Sequence, residues 1–173
     1  HLIHLTWTFL QRTSSLFSRC IFVAFNKVSA SSFWPLNLIS SSVSFGSTLK
    51  EFVQAAEFVL SGGNENVILC ERGLRTFEAN TRFTLDLCGV AWLQEHVNLP
   101  IILDPSHAMG YAYGVPALAK ACVAMGIDGL LIEAHPNPKV AKSDASQQLN
   151  YDEFRKLLKE LQPIANAVGY KMV

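Results

Sequence analysis

The chain has 173 residues, half of them apolar, and its 14 basic and 14 acidic residues leave no formal net charge. That length supports one domain with a sizeable core and excludes an extended disordered chain. The charge balance carries no electrostatic footprint for nucleic acid, and no apolar run reaches the ~18 residues that a membrane span needs.

Charge is unevenly spread along the chain. Residues 1–50 hold no Asp or Glu and only Arg12, Arg19, Lys27 and Lys50, so all the acids lie in 51–173. Two segments are therefore expected, 1–46 and 47–173. The first is rich in Ser and Phe and shows no sustained period of 2 or 3.6. One apolar run within it, residues 20–25, predicts a buried strand. Its acid-poor character fits a transit peptide, and equally fits misframed or disordered sequence. The chain starts with His rather than Met, as a fragment would. Cys20, Cys70, Cys88 and Cys122 form no CxxC pair. They are read as reduced, mostly buried thiols of a cytoplasmic protein.

From Ser47 the pattern is regular. Thr48-Leu49-Lys50-Glu51 has the form of a capping box. Leu49, Phe52, Val53, Ala56, Val59 and Leu60 follow at helical spacing, and Gly62-Gly63 ends that helix. Residues 67–70 predict a buried strand, and a helix is expected from about 80 to 96. A strand over 100–104, a helix over 115–125 and a strand over 129–133 come next. Asn150-Tyr151-Asp152-Glu153 opens a last helix that ends near Gly169. The strands start about 30 residues apart and are near-continuous apolar runs, which predicts parallel strands covered on both faces. A doubly wound sheet and a (β/α)8 barrel both satisfy that pattern. No GxGxxG or Walker loop follows a strand, which weighs against a nucleotide-binding doubly wound sheet.

Each strand delivers polar groups at its C-terminal end: Glu71 and Arg72, then Asp104, Ser106 and His107, then Glu133 and His135. In a parallel barrel those ends open on one face, where the βα loops build the site. His107 and Glu133 suit a divalent metal, and Asp144 in the following loop can return a second carboxylate. That mixed donor set does not choose among Mn, Fe and Zn. Arg72 precedes Gly73 and can bind an oxyanion with its forked guanidinium, or pair with Glu71 or Asp104.

Three stretches carry a family resemblance. Gly63-Asn64-Glu65-Asn66-Val67-Ile68-Leu69-Cys70-Glu71-Arg72-Gly73-Leu74-Arg75-Thr76-Phe77-Glu78 resembles the sixth strand and loop of type I 3-deoxy-7-phosphoheptulonate synthases. Leu99-Pro100-Ile101-Ile102-Leu103-Asp104-Pro105-Ser106-His107-Ala108 resembles the seventh strand. Asp128-Gly129-Leu130-Leu131-Ile132-Glu133-Ala134-His135-Pro136-Asn137-Pro138, with Ser143-Asp144-Ala145-Ser146-Gln147-Gln148-Leu149 after it, resembles the eighth. The resemblance implies an α/β fold: a partial (β/α)8 TIM barrel with its N-terminal strands missing or degenerate. It implies a transferase that condenses phosphoenolpyruvate with erythrose 4-phosphate at the first step of the shikimate pathway. His107, Glu133 and Asp144 match family metal ligands, and Arg72 matches an arginine that holds the phosphate of phosphoenolpyruvate. A homo-oligomer is expected where the full barrel is present, with no nucleic acid or membrane partner. Gln147 and Gln148 are expected to pack or hydrogen-bond near the loop, without a chemical role. The family's Gly-Pro-Cys segment, which supplies a fourth ligand, and its Lys-Pro-Arg-Thr-Ser segment are not found intact. Two alternatives stand beside this reading: the related 3-deoxy-manno-octulosonate 8-phosphate synthases, and an inactive fragment of the family.

Overall fold

The structure is a computed structural model that describes residues 7–8, 19–27, 39–42 and 47–172, with side chains from Ser47 onward and at Val23. Its elements in chain order are β1 (Trp7–Thr8), β2 (Arg19–Lys27), β3 (Ile39–Ser42), α1 (Leu49–Ser61), β4 (Val67–Glu71), α2 (Leu87–His96), β5 (Ile101–Leu103), α3 (Pro105–Met109), α4 (Val115–Ala124), β6 (Gly129–Ala134), α5 (Tyr151–Ala167) and β7 (Tyr170–Met172). The strand expected at 20–25 is present as part of β2. Residues 1–6, 9–18, 28–38 and 43–46, on which the transit-peptide and misframed readings mostly fall, lie outside the described residues.

The strands form one sheet in the order β1-β2-β6-β5-β4-β3, with β7 pairing β2 off that path. The four strands from β3 to β6 run parallel. The alternation of strand and helix from α1 onward therefore gives the parallel α/β arrangement that the apolar runs predict. At the other side β2 lies antiparallel to β6, with Cys20 opposite Glu133 and Val23 opposite Leu130. The β6 edge is thus paired.

Burial follows the two faces of the sheet. Leu69, Ile101, Leu103, Leu130 and Ile132 join the main core, where α4 and α5 contribute Ala119, Cys122, Val123, Phe154, Leu157, Leu161 and Ala165. Ile68, Cys70 and Ile102 form a second, smaller buried cluster with Leu131 against it. Odd and even positions of each strand thus reach opposite faces, and neither face is wet, which is why the strands read as unbroken apolar runs. Cys70 and Cys122 are buried and Cys88 is exposed, and none of the three is in a disulfide. Burial pushes the Cys122 thiol up to about 12, so it stays protonated and unreactive.

Both capping boxes form. Thr48 Oγ1 accepts from the Glu51 N–H and the Thr48 N–H donates to Glu51 Oε2. Asn150 and Glu153 exchange the same pair of bonds at the start of α5. The helix expected from about 80 begins instead at Leu87. Asp86 caps it, with Oδ1 accepting from the Gly89 N–H at 2.8 Å. The preceding residues are drawn into extended pairing, since Leu74 and Thr84 exchange both backbone hydrogen bonds. That pairing and the cap override the helical spacing. Among the described residues no helix is long and apolar enough to cross a membrane.

Leu161 is fully buried on α5, whereas Phe58 on α1 is largely exposed. Leu161→Ala is expected to cost roughly 2–5 kcal/mol of stability by urea unfolding, and Phe58→Ala under about 0.5 kcal/mol. Equal effects would show that the packing of α5 on the sheet is misassigned.

Candidate metal and phosphate site

The site grows from the C-terminal ends of three adjacent parallel strands. At the end of β5, Asp104 is fully buried and caps the short helix α3, with Pro105 at its first position. Its Oδ1 accepts from the His107 N–H at 2.9 Å, and its Oδ2 lies 2.6 Å from His107 Nδ1. One carboxylate therefore fixes both the backbone and the ring of the same residue. With Nδ1 engaged, His107 presents Nε2, which lies 3.7 Å from Glu133 Oε1. A carboxylate behind a histidine in this way sets the tautomer and aims the other nitrogen.

At the end of β6, the Glu133 N–H donates to the buried Ser106 Oγ at 3.1 Å, which ties β6 to α3. The second carboxylate oxygen, Oε2, accepts from Gln147 Nε2 at 2.7 Å. Burial pushes the Glu133 carboxyl above the ordinary range, opposed by His107 and the Gln147 hydrogen bond. Asp144 reaches the same place from the following loop. Its backbone has a φ of 50°, a left-handed conformation that Asp tolerates better than most residues. His107, Glu133 and Asp144 each offer a ligand atom, and those atoms all lie within 4.8 Å of one another. One imidazole nitrogen and two carboxylates at that spacing suit a divalent transition metal, so the donor set fits the metal that the resemblance implies.

Arg72 follows β4. Its Nε lies 3.6 Å from Asp104 Oδ2, so the ion pair considered for it is formed. That pairing links it to the His107 carboxylate partner, while its side chain stays about a quarter exposed, 24%. The turn that carries it is closed by Glu71, whose Oε1 accepts from the Gly73 N–H at 2.8 Å. Gly73 has a φ of +99°, and a Cβ there would stand 2.5 Å from Phe83 Cβ. Only glycine meets both demands. Burial drives the Glu71 carboxyl up to about 7, against the Gly73 and Asp86 N–H groups that lower it, with Asp86 and Asp104 adding to the rise.

All four sequence-derived site residues thus connect: three converge, and Arg72 joins them through Asp104. His135 does not join the ligand group. It is buried, and its Nδ1 accepts from the Asn137 N–H at 3.0 Å. Gln148 is likewise engaged in the loop, with Nε2 donating to the Ser143 carbonyl. Of two further partners, one was expected and one was not. Gln147, expected only to pack or hydrogen-bond near the loop, holds Glu133. Arg82 Nη1 donates to both Asp144 Oδ1 and Gln147 Oε1 at 2.8 Å. No periodicity or motif marks Arg82. The role of Asp104 was within reach, since an Asp cap with Pro behind it places a residue three positions on beside the cap.

Fold and site together define an α/β protein that gathers its polar groups at the C-terminal ends of parallel strands. The chain belongs to the DAHP synthetase I family, whose profile matches residues 27–168. It is 42% identical over 128 residues to the phospho-2-dehydro-3-deoxyheptonate aldolase of Thermotoga maritima, a match that covers 74% of this chain and 38% of that protein. It is 36% identical over 115 residues to the 2-dehydro-3-deoxyphosphooctonate aldolase of Protochlamydia amoebophila, covering 60% of this chain and 41% of that one. A crystal structure of the Thermotoga maritima enzyme superposes with a TM-score of 0.75 at 41% identity, over 76% of this chain and 39% of the other. A truncated form of the 3-deoxy-D-arabino-heptulosonate 7-phosphate synthase from the same organism gives the same score, with the match covering 50% of the truncated chain. This chain therefore spans about two fifths of the length of these curated relatives.

The Glu71 carboxyl gives a signed pH prediction. Its folded value near 7 lies above the ordinary 4.5. Between those values the unfolded chain loses the proton while the folded chain keeps it, so stability falls as pH rises from 4.5 to 7. Glu71→Gln is expected to remove on the order of 3 kcal/mol of that fall. Urea unfolding of both proteins at pH 5 and pH 8, with chelator present, measures it. A pH dependence unchanged by the substitution would contradict the assignment.

Proposed function

We propose that this chain carries part of the active site of a 3-deoxy-7-phosphoheptulonate synthase, which condenses phosphoenolpyruvate with erythrose 4-phosphate. The observation that carries this reading is the convergence of His107, Glu133 and Asp144, with Arg72 joined to them through Asp104. The higher identity to the heptonate aldolase than to the octonate aldolase supports the choice of substrate. In the same reading the parallel run from β3 to β6 corresponds to strands five to eight of a (β/α)8 barrel. A cytoplasmic location, and a homo-oligomer where the barrel is complete, belong to it as well.

Each residue has a task. His107 through Nε2, Glu133 through Oε1 and Asp144 through a carboxylate oxygen would hold a Mn, Fe or Zn ion. Such an ion supplies Lewis-acid polarisation of the aldehyde when bound. Arg72 holds the phosphate of phosphoenolpyruvate with a charge-assisted, forked contact. Asp104 keeps that guanidinium in place and so aligns the phosphate with the ligand group, which contributes proximity as well as charge neutralisation. In the condensation C3 of phosphoenolpyruvate joins the aldehyde carbon, water adds at C2 and phosphate departs. Arg72 stands where the departing charge develops.

The test is phosphate release and product formation by the purified chain with Mn2+. Product is expected with erythrose 4-phosphate, lost on chelation, and absent with arabinose 5-phosphate. Product with arabinose 5-phosphate instead would move the assignment to the octulosonate enzymes, as the similarity to an octonate aldolase allows. No product from either sugar, with Mn2+ still bound, would leave a family fragment that retains its ligand group without turnover.

A further inference from the structure

We infer that Arg82 is a positioning residue for the metal site, orienting two of its three ligands at once. This rests on the metal reading above. Arg82 lies in the loop between β4 and α2, 62 residues before Asp144. Its Nη1 donates to Asp144 Oδ1 and to Gln147 Oε1, each at 2.8 Å. Gln147 is buried and passes the constraint on, with Nε2 donating to Glu133 Oε2 at 2.7 Å. The two ends of the Gln147 amide are thereby assigned, its oxygen toward Arg82 and its nitrogen toward Glu133. One guanidinium nitrogen thus sets one carboxylate directly and a second through a single relay, leaving Glu133 Oε1 turned toward His107 Nε2.

Arg82 is itself held. Its N–H donates to the Met109 carbonyl and the next N–H, of Phe83, to the Ala108 carbonyl, which fastens the loop to the helix that bears His107. Gly110, with a φ of +75°, leaves the space: a Cβ there would stand 2.7 Å from Arg82 Cβ. All three ligands are therefore referred to α3, His107 by sequence and the other two through Arg82.

Two opposed effects decide the sign. A fixed positive charge beside a divalent cation weakens binding by repulsion. Ordering two carboxylates before the ion arrives strengthens it by removing rotamer entropy from the binding step. Arg82 is 41% exposed at its side chain, so water screens the repulsion, whereas the hydrogen bonds persist. Positioning is the larger effect.

The experiment is a Mn2+ titration of the full chain, read by the electron paramagnetic resonance of free Mn2+, for the wild type, His107→Ala, Arg82→Ala, Arg82→Lys and Gln147→Ala. Wild-type binding that His107→Ala abolishes establishes the site. Absence of wild-type binding would remove the metal reading and this inference with it. Given wild-type binding, Arg82→Ala is expected to weaken affinity roughly 10–100-fold, as loss of an outer partner does. Arg82→Lys is expected to recover part of it, since an ammonium restores charge and donors without the planar fork. Arg82→Ala affinity equal to or tighter than wild type would overturn the positioning role while leaving the site intact. Circular dichroism of the metal-free variants guards against unfolding. Should Arg82→Ala not fold, Gln147→Ala carries the test, because unchanged affinity there would break the relay.

Discussion

The rest of the site depends on the Asp104 carboxylate. It is fully buried, and neither oxygen is idle: Oδ1 takes the His107 N–H, and Oδ2 takes the His107 ring and faces the Arg72 guanidinium. A carboxylate removed from water without such partners would be costly. Here burial makes each contact stronger, and the same group stops β5, starts α3 and orients a candidate ligand. Arg72 and His107 come from different strands, yet both are referenced to one pair of oxygens. Displacing Asp104 would lose the helix cap, the ring orientation and the guanidinium anchor together.

The neighbouring strand ends repeat the solution with different partners. Glu71 and Glu133 are also buried acids, and burial raises the carboxyls of both. Glu71 is met by backbone N–H groups and holds a turn. Glu133 is met by an imidazole and an amide, and holds one oxygen toward the ligand group. The difference decides their functions. A carboxylate oxygen held by the main chain fixes a turn, and one that faces an imidazole can face a cation instead. Near His107, Glu133 and Asp144 add two carboxylates, whose charge a divalent ion held there would offset.

Much of this was legible in the sequence, for identifiable reasons. Val67 to Cys70 and Ile101 to Leu103 are unbroken apolar runs because both sheet faces are covered, so parallel strands could be read from them. Thr48 with Glu51 and Asn150 with Glu153 announce helix starts because capping is local chemistry. His107, Glu133 and Asp144 could be grouped because parallel strands deliver their C-terminal ends to one face. The start of α2 was misplaced because Thr84 pairs with Leu74, a contact between segments that helical spacing does not register. Arg82 was missed for a similar reason. Its importance comes from a meeting across more than sixty residues, at distances no local pattern encodes. Sequence distance, rather than subtlety of chemistry, separates what could be read from what could not.

The antiparallel β2 bears on how the site relates to the longer relatives. An edge strand has one outward row of backbone donors and acceptors, and β2 takes that row along Gly129–Ala134 of β6. Closure of a barrel would require a parallel strand in the same place, so closure and β2 exclude one another at this edge. The bonds described for the ligand group do not run through β2. His107 is held by Asp104, Glu133 by Ser106 and Gln147, and Asp144 by Arg82, all within the stretch from β4 to the loop before α5. Arg72 is tied to that same set. Among the described residues, the side-chain bonds that brace the ligand group come from three adjacent strand ends and their loops, while β2 pairs the backbone of Glu133. In the proposed reading, metal binding would therefore draw chiefly on bonds internal to the parallel run, and turnover would draw as well on whatever meets its edges.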